Sequence, residues 1–179
     1  MKKVVVISTS LHGGSNSEIL AREFVRGAKE GGNEAELIRL AGKKIGFCIG
    51  CLSCQKTLQC VIADDARDIA EAVRNADVVV FATPIYYYDV CGQMKTLLDR
   101  LNPLFASDYR FREVYLLATA ADDDESAMDG AAKCIEGWVE CFAKARLCKV
   151  LRGVGIGAAN DAKNHPDTMC QAYEMGNNV

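Results

Sequence analysis

The sequence predicts an α/β fold in which a doubly wound, five-stranded parallel sheet is covered by helices on both faces. Two observations carry this prediction: strand and helix patterns alternate strictly along the chain, and the strand segments are apolar on both faces. Sheets that are buried on both sides have such strands, whereas sheets with one wet face alternate apolar and polar residues. With 179 residues, half of them hydrophobic, we expect a single domain over residues 1–179 that folds without disulfides.

Short apolar segments rich in β-branched residues mark the five predicted strands. Each segment is bounded by polar residues or glycine, as strands in an α/β fold usually are. They cover residues 3–9, 34–40, 77–83, 113–120 and about 147–156.

Between these strands, apolar residues recur every three or four positions, which is the pattern of a helix with one buried face. The first helix carries Leu20, Phe24 and Ala28, and the glycines after residue 30 end it. Further helices are predicted over about 64–76, 94–101, 128–142 and 166–173. Residues 41–62 fit neither period, so we interpret them as a cysteine-rich loop insertion.

Composition excludes several classes of partner. A formal net charge of −3 gives no basic surface for nucleic acid. The longest apolar stretch, Val78–Tyr88, contains Pro84 and is shorter than the roughly 18 residues of a membrane span. The Met-Lys-Lys start is followed by too short an apolar run for an export signal. We therefore expect a cytoplasmic protein whose nine cysteines are reduced.

The loop after the first strand, residues 8–17, is rich in glycine and hydroxyl side chains. Amide groups at a helix start, together with such hydroxyls, can hold a phosphate. The loop has no Lys or Arg and lacks both the Gly-Lys-Ser/Thr end of a P-loop and a Gly-x-Gly-x-x-Gly pattern, so a monophosphate fits better than a triphosphate. The alternative is that Ser15 merely caps the helix, with Glu18 completing a capping box.

Three consecutive tyrosines follow the third strand, where a doubly wound sheet presents its ligand-binding edge. Three adjacent aromatic rings cannot all face the core, so we expect at least one to lie at the surface or against a planar ligand. Packing against a neighbouring subunit is the alternative, and the two are compatible. The segment reads Pro84-Ile85-Tyr86-Tyr87-Tyr88-Asp89.

At these two loops the chain resembles the flavodoxin-like NAD(P)H-dependent FMN reductases and, more narrowly, the iron-sulfur flavoproteins of that superfamily. The resemblance covers nearly the whole chain. It rests on Ser10–Ser17, on Pro84–Tyr88, and on Gly92-Gln93-Met94-Lys95 running into Asp99-Arg100.

The resemblance implies a flavodoxin-like fold that binds FMN and takes NAD(P)H as substrate. The flavin would receive a hydride and pass electrons to a small-molecule acceptor, so no catalytic side chain is expected. His12 stands where many relatives carry arginine. By position, Ser10, His12, Ser15, Asn16 and Ser17 would surround the FMN phosphate, Pro84, Ile85, Tyr86, Tyr87 and Tyr88 would border the ring, and Thr119, Ala120, Ala121 and Asp122 would flank it on the opposite side.

Four cysteines in the loop insertion follow the pattern C-x2-C-x2-C-x5-C: Cys48, Cys51, Cys54 and Cys60. Thiolates at this spacing can converge on one small centre, and four of them suit a 4Fe-4S cluster or a tetrahedral zinc ion. The resemblance favours iron-sulfur, while zinc and plain or redox-active thiols remain open.

Three functions compete at this point. The first is an NAD(P)H-dependent FMN oxidoreductase with a small-molecule donor and acceptor. The second is an electron carrier that binds FMN without NAD(P)H activity of its own, and the third is a cysteine-based metal or redox sensor. The exposed tyrosines and the apolar helix after them further predict a homodimer or higher homo-oligomer.

Overall fold

The computed structural model describes residues 1–179, in which strands and helices alternate along the chain. The strands are β1 Lys3–Ser8, β2 Glu34–Arg39, β3 Val78–Tyr86, β4 Asp89–Val90, β5 Glu113–Thr119 and β6 Arg146–Gly153. The α-helices are α1 Asn16–Glu30, α2 Cys54–Thr57, α3 Ala66–Arg74, α4 Gly92–Arg100, α5 Asp129–Glu140 and α6 Pro166–Asn177. Short 3₁₀ turns cover Asn102–Ala106, Glu125–Met128 and Asp161–Asn164.

The sheet runs in the order β2-β1-β3-β5-β6, and all four pairings along this path are parallel. This is the predicted doubly wound, five-stranded parallel sheet of flavodoxin-like topology, and the prediction is confirmed. The strand order reverses beside β1 and β3, so the crevice at their carboxyl ends is where such a sheet binds a ligand.

Two elements are absent from the sequence-based prediction. Strand β4 pairs antiparallel with the end of β3, so that β3 extends to Tyr86 instead of ending at residue 83. Helix α2, a single turn, lies inside the predicted loop insertion. Strand β6 ends at Gly153, three residues before the predicted end, and Gly155, two residues later, has a φ of +66° that a strand does not adopt.

Helices cover the sheet on both faces, and each face has its own core. The larger core includes an aromatic cluster in which Phe111 stacks on Trp138, and Phe81 meets the same indole edge-on. The other core packs α1 and α6 against the sheet around Phe24. Burying both faces explains why the strands lack the alternation of a half-exposed sheet. None of the helices combines the length and apolar character that crossing a membrane requires.

Candidate functional site

A cavity of about 300 Å³ lies at the carboxyl edge of the sheet, at the predicted ligand-binding crevice. Its wall contains no Lys, Arg, Asp or Glu side chain, so an anion there would be held by amides and hydroxyls. The wall is formed by Ser10, His12, Gly14, Ser15, Asn16, Pro84, Ile85, Tyr86, Thr119, Ala121, Ile156, Gly157 and Ala159.

The phosphate-loop side of the cavity ends in the first turn of α1. Ser15 caps this helix: its Oγ accepts from the N–H of Glu18 at 3.4 Å and lies 3.0 Å from Oγ of Ser17. The N–H groups of Asn16 and Ser17 make no hydrogen bond within the chain. Unpaired amides at the positive end of a 15-residue helix are a suitable site for an anion.

The capping-box alternative is only half realised. Ser15 does cap the helix, but the Glu18 carboxylate does not return to the cap residue. It instead binds Arg22 at 2.7 Å and Arg39 at 2.9 Å, which neutralises its charge. The anion-attracting end of α1 is therefore not cancelled by the acidic residue in its first turn.

The Asn16 side chain has a different surrounding from the one expected for a phosphate ligand. Its Nδ2 donates to the carbonyl of Ala158 at 2.7 Å, and its Oδ1 accepts from the N–H of Ala162 at 3.0 Å. Both ends of the amide are thus occupied by the segment after β6. Asn16 joins that segment to the phosphate loop, and its backbone N–H is the group left for an anion.

The tyrosine segment forms a hairpin in which only part of the predicted set reaches the cavity. Pro84, Ile85 and Tyr86 line it. Tyr87 and Tyr88 form the two-residue turn between β3 and β4 and do not line the cavity, and Tyr87 is 100% exposed. The rings at 87 and 88 are therefore not part of the cavity wall in this structure.

The segment after β5 contributes Thr119 and Ala121 to the wall. Ala120 is buried and bonds through its backbone to Gly153 and Ile156. Asp122 is exposed, and its Oδ1 accepts from the N–H of Asp124 at 3.0 Å, so it shapes the turn into the next helix. Two of the four predicted residues thus face the cavity.

The segment after β6 also lines the cavity, through Ile156, Gly157 and Ala159, and the sequence did not predict it. These residues follow β6 in a glycine-containing stretch, Gly153-Val154-Gly155-Ile156-Gly157, that resembles an ordinary strand end. Its backbone is tied to the phosphate loop by the bond from Asn160 N–H to the Gly14 carbonyl at 2.9 Å. The repeated glycines at the carboxyl edge were the available signal.

The four cysteines of residues 41–62 do not converge. Cys48 and Cys51 are exposed, Cys60 is half-buried, and Cys54 is buried with its sulfur 3.2 Å from Nδ2 of Asn102. Hydrogen bonds from the Ser53 backbone and side chain lower the pKa of the Cys51 thiol. The donor set suits an iron-sulfur cluster in number and type. Its arrangement does not fit one, because the structure brings no three His, Cys, Asp or Glu side chains together as a metal site.

Comparison with known proteins agrees with this geometry. The family model for NADPH-dependent FMN reductase matches residues 2–136. An iron-sulfur flavoprotein of Methanocaldococcus jannaschii is 38% identical over 102 residues, which are 57% of this chain and 53% of that protein. An iron-sulfur flavoprotein of Archaeoglobus fulgidus is 34% identical over 103 residues, 58% of this chain and 46% of that protein. The chain spans about half the length of these curated relatives.

A solved structure shares the fold over almost the full length. An NAD(P)H:quinone oxidoreductase from Methanothermobacter marburgensis superimposes with a TM-score of 0.75 at 16% identity, covering 99% of this chain and 98% of that one. At such identity the likeness establishes the flavodoxin-like architecture alone. The family match is the stronger finding, since it extends over well more than half of the residues. The chain therefore belongs to the NADPH-dependent FMN reductase family.

Proposed function

We propose that this chain binds FMN in the cavity at the carboxyl edge of the sheet and acts as an NAD(P)H-dependent oxidoreductase. One observation carries the proposal: Asn16, whose backbone amide is unpaired at the start of α1, and Tyr86 at the end of β3 line the same cavity. The first suits a phosphate and the second suits a planar ring. The family to which the chain belongs supports the same cofactor.

The phosphate would lie against the first turn of α1. The N–H groups of Asn16 and Ser17 are free to donate, and the hydroxyls of Ser10 and Ser15 lie in the same wall. Hydrogen bonds from these donors to a charged phosphate are each worth about 1.5 to 3 kcal/mol. His12 is the one basic side chain in the wall.

The isoalloxazine ring would lie between the β3 end and the segment after β5. Pro84, Ile85 and Tyr86 form one side of the cavity, and Thr119 with Ala121 forms the other. These side chains carry no charge, so they favour a ring that is buried by apolar contact and offset stacking. Ile156 and Gly157 would close the space between the phosphate and the ring.

FMN, when bound, supplies the redox chemistry by accepting a hydride from NAD(P)H and delivering electrons to an acceptor. The chain's own residues hold the cofactor, exclude water from one face and leave an opening for small molecules. Apart from His12, the cavity wall has no carboxyl, thiol or amine side chain, which fits chemistry that the flavin performs. Donor and acceptor would therefore be small molecules that reach the ring from solvent.

A second candidate role belongs to the cysteine-rich segment. The C-x2-C-x2-C-x5-C spacing and the similarity to two iron-sulfur flavoproteins support cluster binding here. The arrangement in this structure does not support it, since Cys48 and Cys51 would have to leave the surface and approach Cys54 and Cys60. The FMN-dependent activity proposed above does not require a cluster.

We also propose a homo-oligomer, through a surface that keeps only part of the predicted one. The apolar residues of α4, such as Met94 and Leu97, are buried within the chain and cannot face a partner. The tyrosines at 86–88 are exposed, as predicted, and further exposed apolar side chains lie on the cysteine-rich segment at Phe47, Ile49 and Leu52. A second copy would cover this surface. Light scattering at micromolar concentration tests the proposal, and a monomer would contradict it.

Anaerobic reduction separates the proposed oxidoreductase from its alternatives. Protein loaded with FMN is mixed with NADH or NADPH in the absence of an acceptor. We expect the visible absorption of the bound flavin to bleach with at least one of the two. Bleaching by dithionite but by neither nucleotide would indicate an electron carrier. If the protein takes up no FMN, both flavin-dependent functions are excluded and the cysteine-based sensor is favoured.

A further inference from the structure

The turn between β3 and β4 has an unusual backbone. Pairing of Ile85 with Val90 and of Tyr86 with Asp89 leaves Tyr87 and Tyr88 as a two-residue loop. Their φ angles are +51° and +64°, so this is a type I′ turn built without glycine or asparagine. L-residues with bulky side chains seldom adopt such angles, and strained backbone persists only where its surroundings hold it.

Helix α5 holds this turn from one side. Gly130, in the first turn of α5, lies so close to the turn that a Cβ on it would collide with the Tyr88 carbonyl oxygen and reach within 3.8 Å of Asp89 Cα. Glycine alone allows this backbone-to-backbone approach. Gly137, about two turns further along α5, has nothing within 4 Å of the corresponding position.

The start of α5 is itself fixed to the sheet. Arg152, on β6, donates at 2.6 Å to Oδ1 of Asp129 and at 2.6 Å to the carbonyl of Glu125. Asp124 caps the preceding 3₁₀ turn by accepting from the N–H of Ser126 at 2.9 Å. The first turn of α5 therefore reaches the tyrosine turn from a defined position.

We propose that Gly130 is a positioning residue for the cavity wall. By seating α5 against the Tyr88 carbonyl, it holds the β3–β4 hairpin so that Ile85 and Tyr86 face the cavity. In this assignment the turn matters through its backbone geometry, while the rings of Tyr87 and Tyr88 do not contact the cofactor. The inference rests on the proposed function, because it specifies how the ring side of the proposed FMN site is held in place.

The test compares Gly130→Ala with Gly137→Ala, a matched change on the same helix. Both replace a helical glycine, so both favour the helix itself, but only the first displaces the hairpin. We expect Gly130→Ala to raise the Kd for FMN about tenfold and to change the visible circular dichroism of the bound flavin. Gly137→Ala should leave both unchanged. Equal FMN affinity and equal spectra for the two variants would overturn the proposal.

A second variant separates backbone geometry from ring contacts. Tyr87→Asn combined with Tyr88→Gly gives the residues that a type I′ turn prefers, and so keeps the hairpin while removing both rings. We expect its FMN affinity to stay within about twofold of the wild type. A loss as large as that of Gly130→Ala would show that the rings themselves bind FMN and would contradict the assignment.

A further measurement tests the position of the hairpin without the cofactor. It compares the amide chemical shifts of Ile85 and Tyr86 in the FMN-free wild type and variants. Gly130→Ala should move them and Gly137→Ala should not, and unmoved shifts would overturn the inference. If the shifts move while the wild type binds no FMN, the positioning role stands and the proposed function fails. Should Gly130→Ala not fold, Arg152→Met is the substitute, since it loosens the α5 start and should shift the same two amides.

Discussion

Arg100 and Asp64 form a bidentate pair in which Nη1 donates to Oδ2 at 2.7 Å and Nη2 donates to Oδ1 at 2.8 Å. The Arg100 side chain is fully buried, and it also donates to the carbonyls of Gly46 and Ile62. One guanidinium at the end of α4 therefore binds the chain on both sides of the cysteines. The ends of the cysteine-rich segment are therefore fixed to the fold, while Cys48 and Cys51 between them are exposed.

Replacing Asp64 with Asn should destabilise the protein by about 3 kcal/mol, because it leaves a buried guanidinium without its counter-charge. Asp99→Asn is the control: Asp99 adjoins Arg100 in the chain, but its pair with Lys95 is exposed and worth about 0.5 kcal/mol or less. Urea unfolding at neutral pH measures both. Equal losses in the two variants would contradict the structural role of the buried pair.

The same pair predicts a pH dependence. Burial opposes ionisation of Asp64, but hydrogen bonds from Arg100, Gly46 and Ala66 outweigh it and lower the pKa of the carboxyl below the ordinary value of 3.8. A lowered pKa stabilises the fold above the unfolded-state pKa, and this stabilisation is lost as pH falls through the folded-state value. The stability difference between wild type and Asp64→Asn should be constant above about pH 5 and shrink below about pH 4. A stability difference between wild type and Asp64→Asn that grows as the pH falls would contradict the lowered pKa of Asp64.

Asn16→Ala should weaken FMN binding through the segment after β6. The substitution removes the bonds to Ala158 and Ala162, at a cost of about 1 to 3 kcal/mol, and frees the wall that contains Ile156. The double change of Asn16 and Ser17 to alanine should weaken binding by about 2 to 4 kcal/mol. FMN titration calorimetry measures both variants, with Asn164→Ala as an exposed control. Unchanged affinity would show that the Asn16 bonds to the segment after β6 do not support the FMN site.

Anaerobic reconstitution with iron and sulfide tests the cysteine-rich segment. If it binds a 4Fe-4S cluster, the wild type should take up about four irons per chain. Cys51→Ala should then lose the cluster and one-electron transfer to an acceptor, and keep FMN. Cys170→Ala, which changes an exposed cysteine on α6, should keep both. Wild-type protein without iron would assign the four cysteines as structural or redox thiols.

The fold was predictable because its signals are local and consistent. Segments such as Val78–Phe81 are apolar on both faces and could only be central strands, while Leu20, Phe24 and Ala28 fix the buried face of α1. Strand β4 escaped prediction because its turn uses Tyr87 and Tyr88, where a type I′ turn normally carries asparagine and glycine. That turn packs against Gly130 of α5, a contact between residues that are distant in sequence.

The cavity was predictable in part. Loops at the carboxyl ends of parallel strands must meet, so the phosphate loop, Pro84–Tyr86 and Thr119 could be assigned to one edge. The wall from Ile156 to Ala159 could not, because it depends on a hydrogen bond between Asn16 and Ala158 that joins the two ends of the chain. The hydrogen bonds of the Asn16 side chain and the full exposure of Tyr87 could not be predicted either, because they depend on how distant segments pack.

FMN titration of the purified, cofactor-free protein tests the central claim most directly. Flavin fluorescence and calorimetry together give the affinity and the number of sites. We expect one FMN per chain, with affinity reduced in the Asn16 and Ser17 double variant and retained in Cys51→Ala. Contradiction would come from wild-type protein that releases no heat and quenches no flavin fluorescence, or from binding that the double variant leaves unchanged.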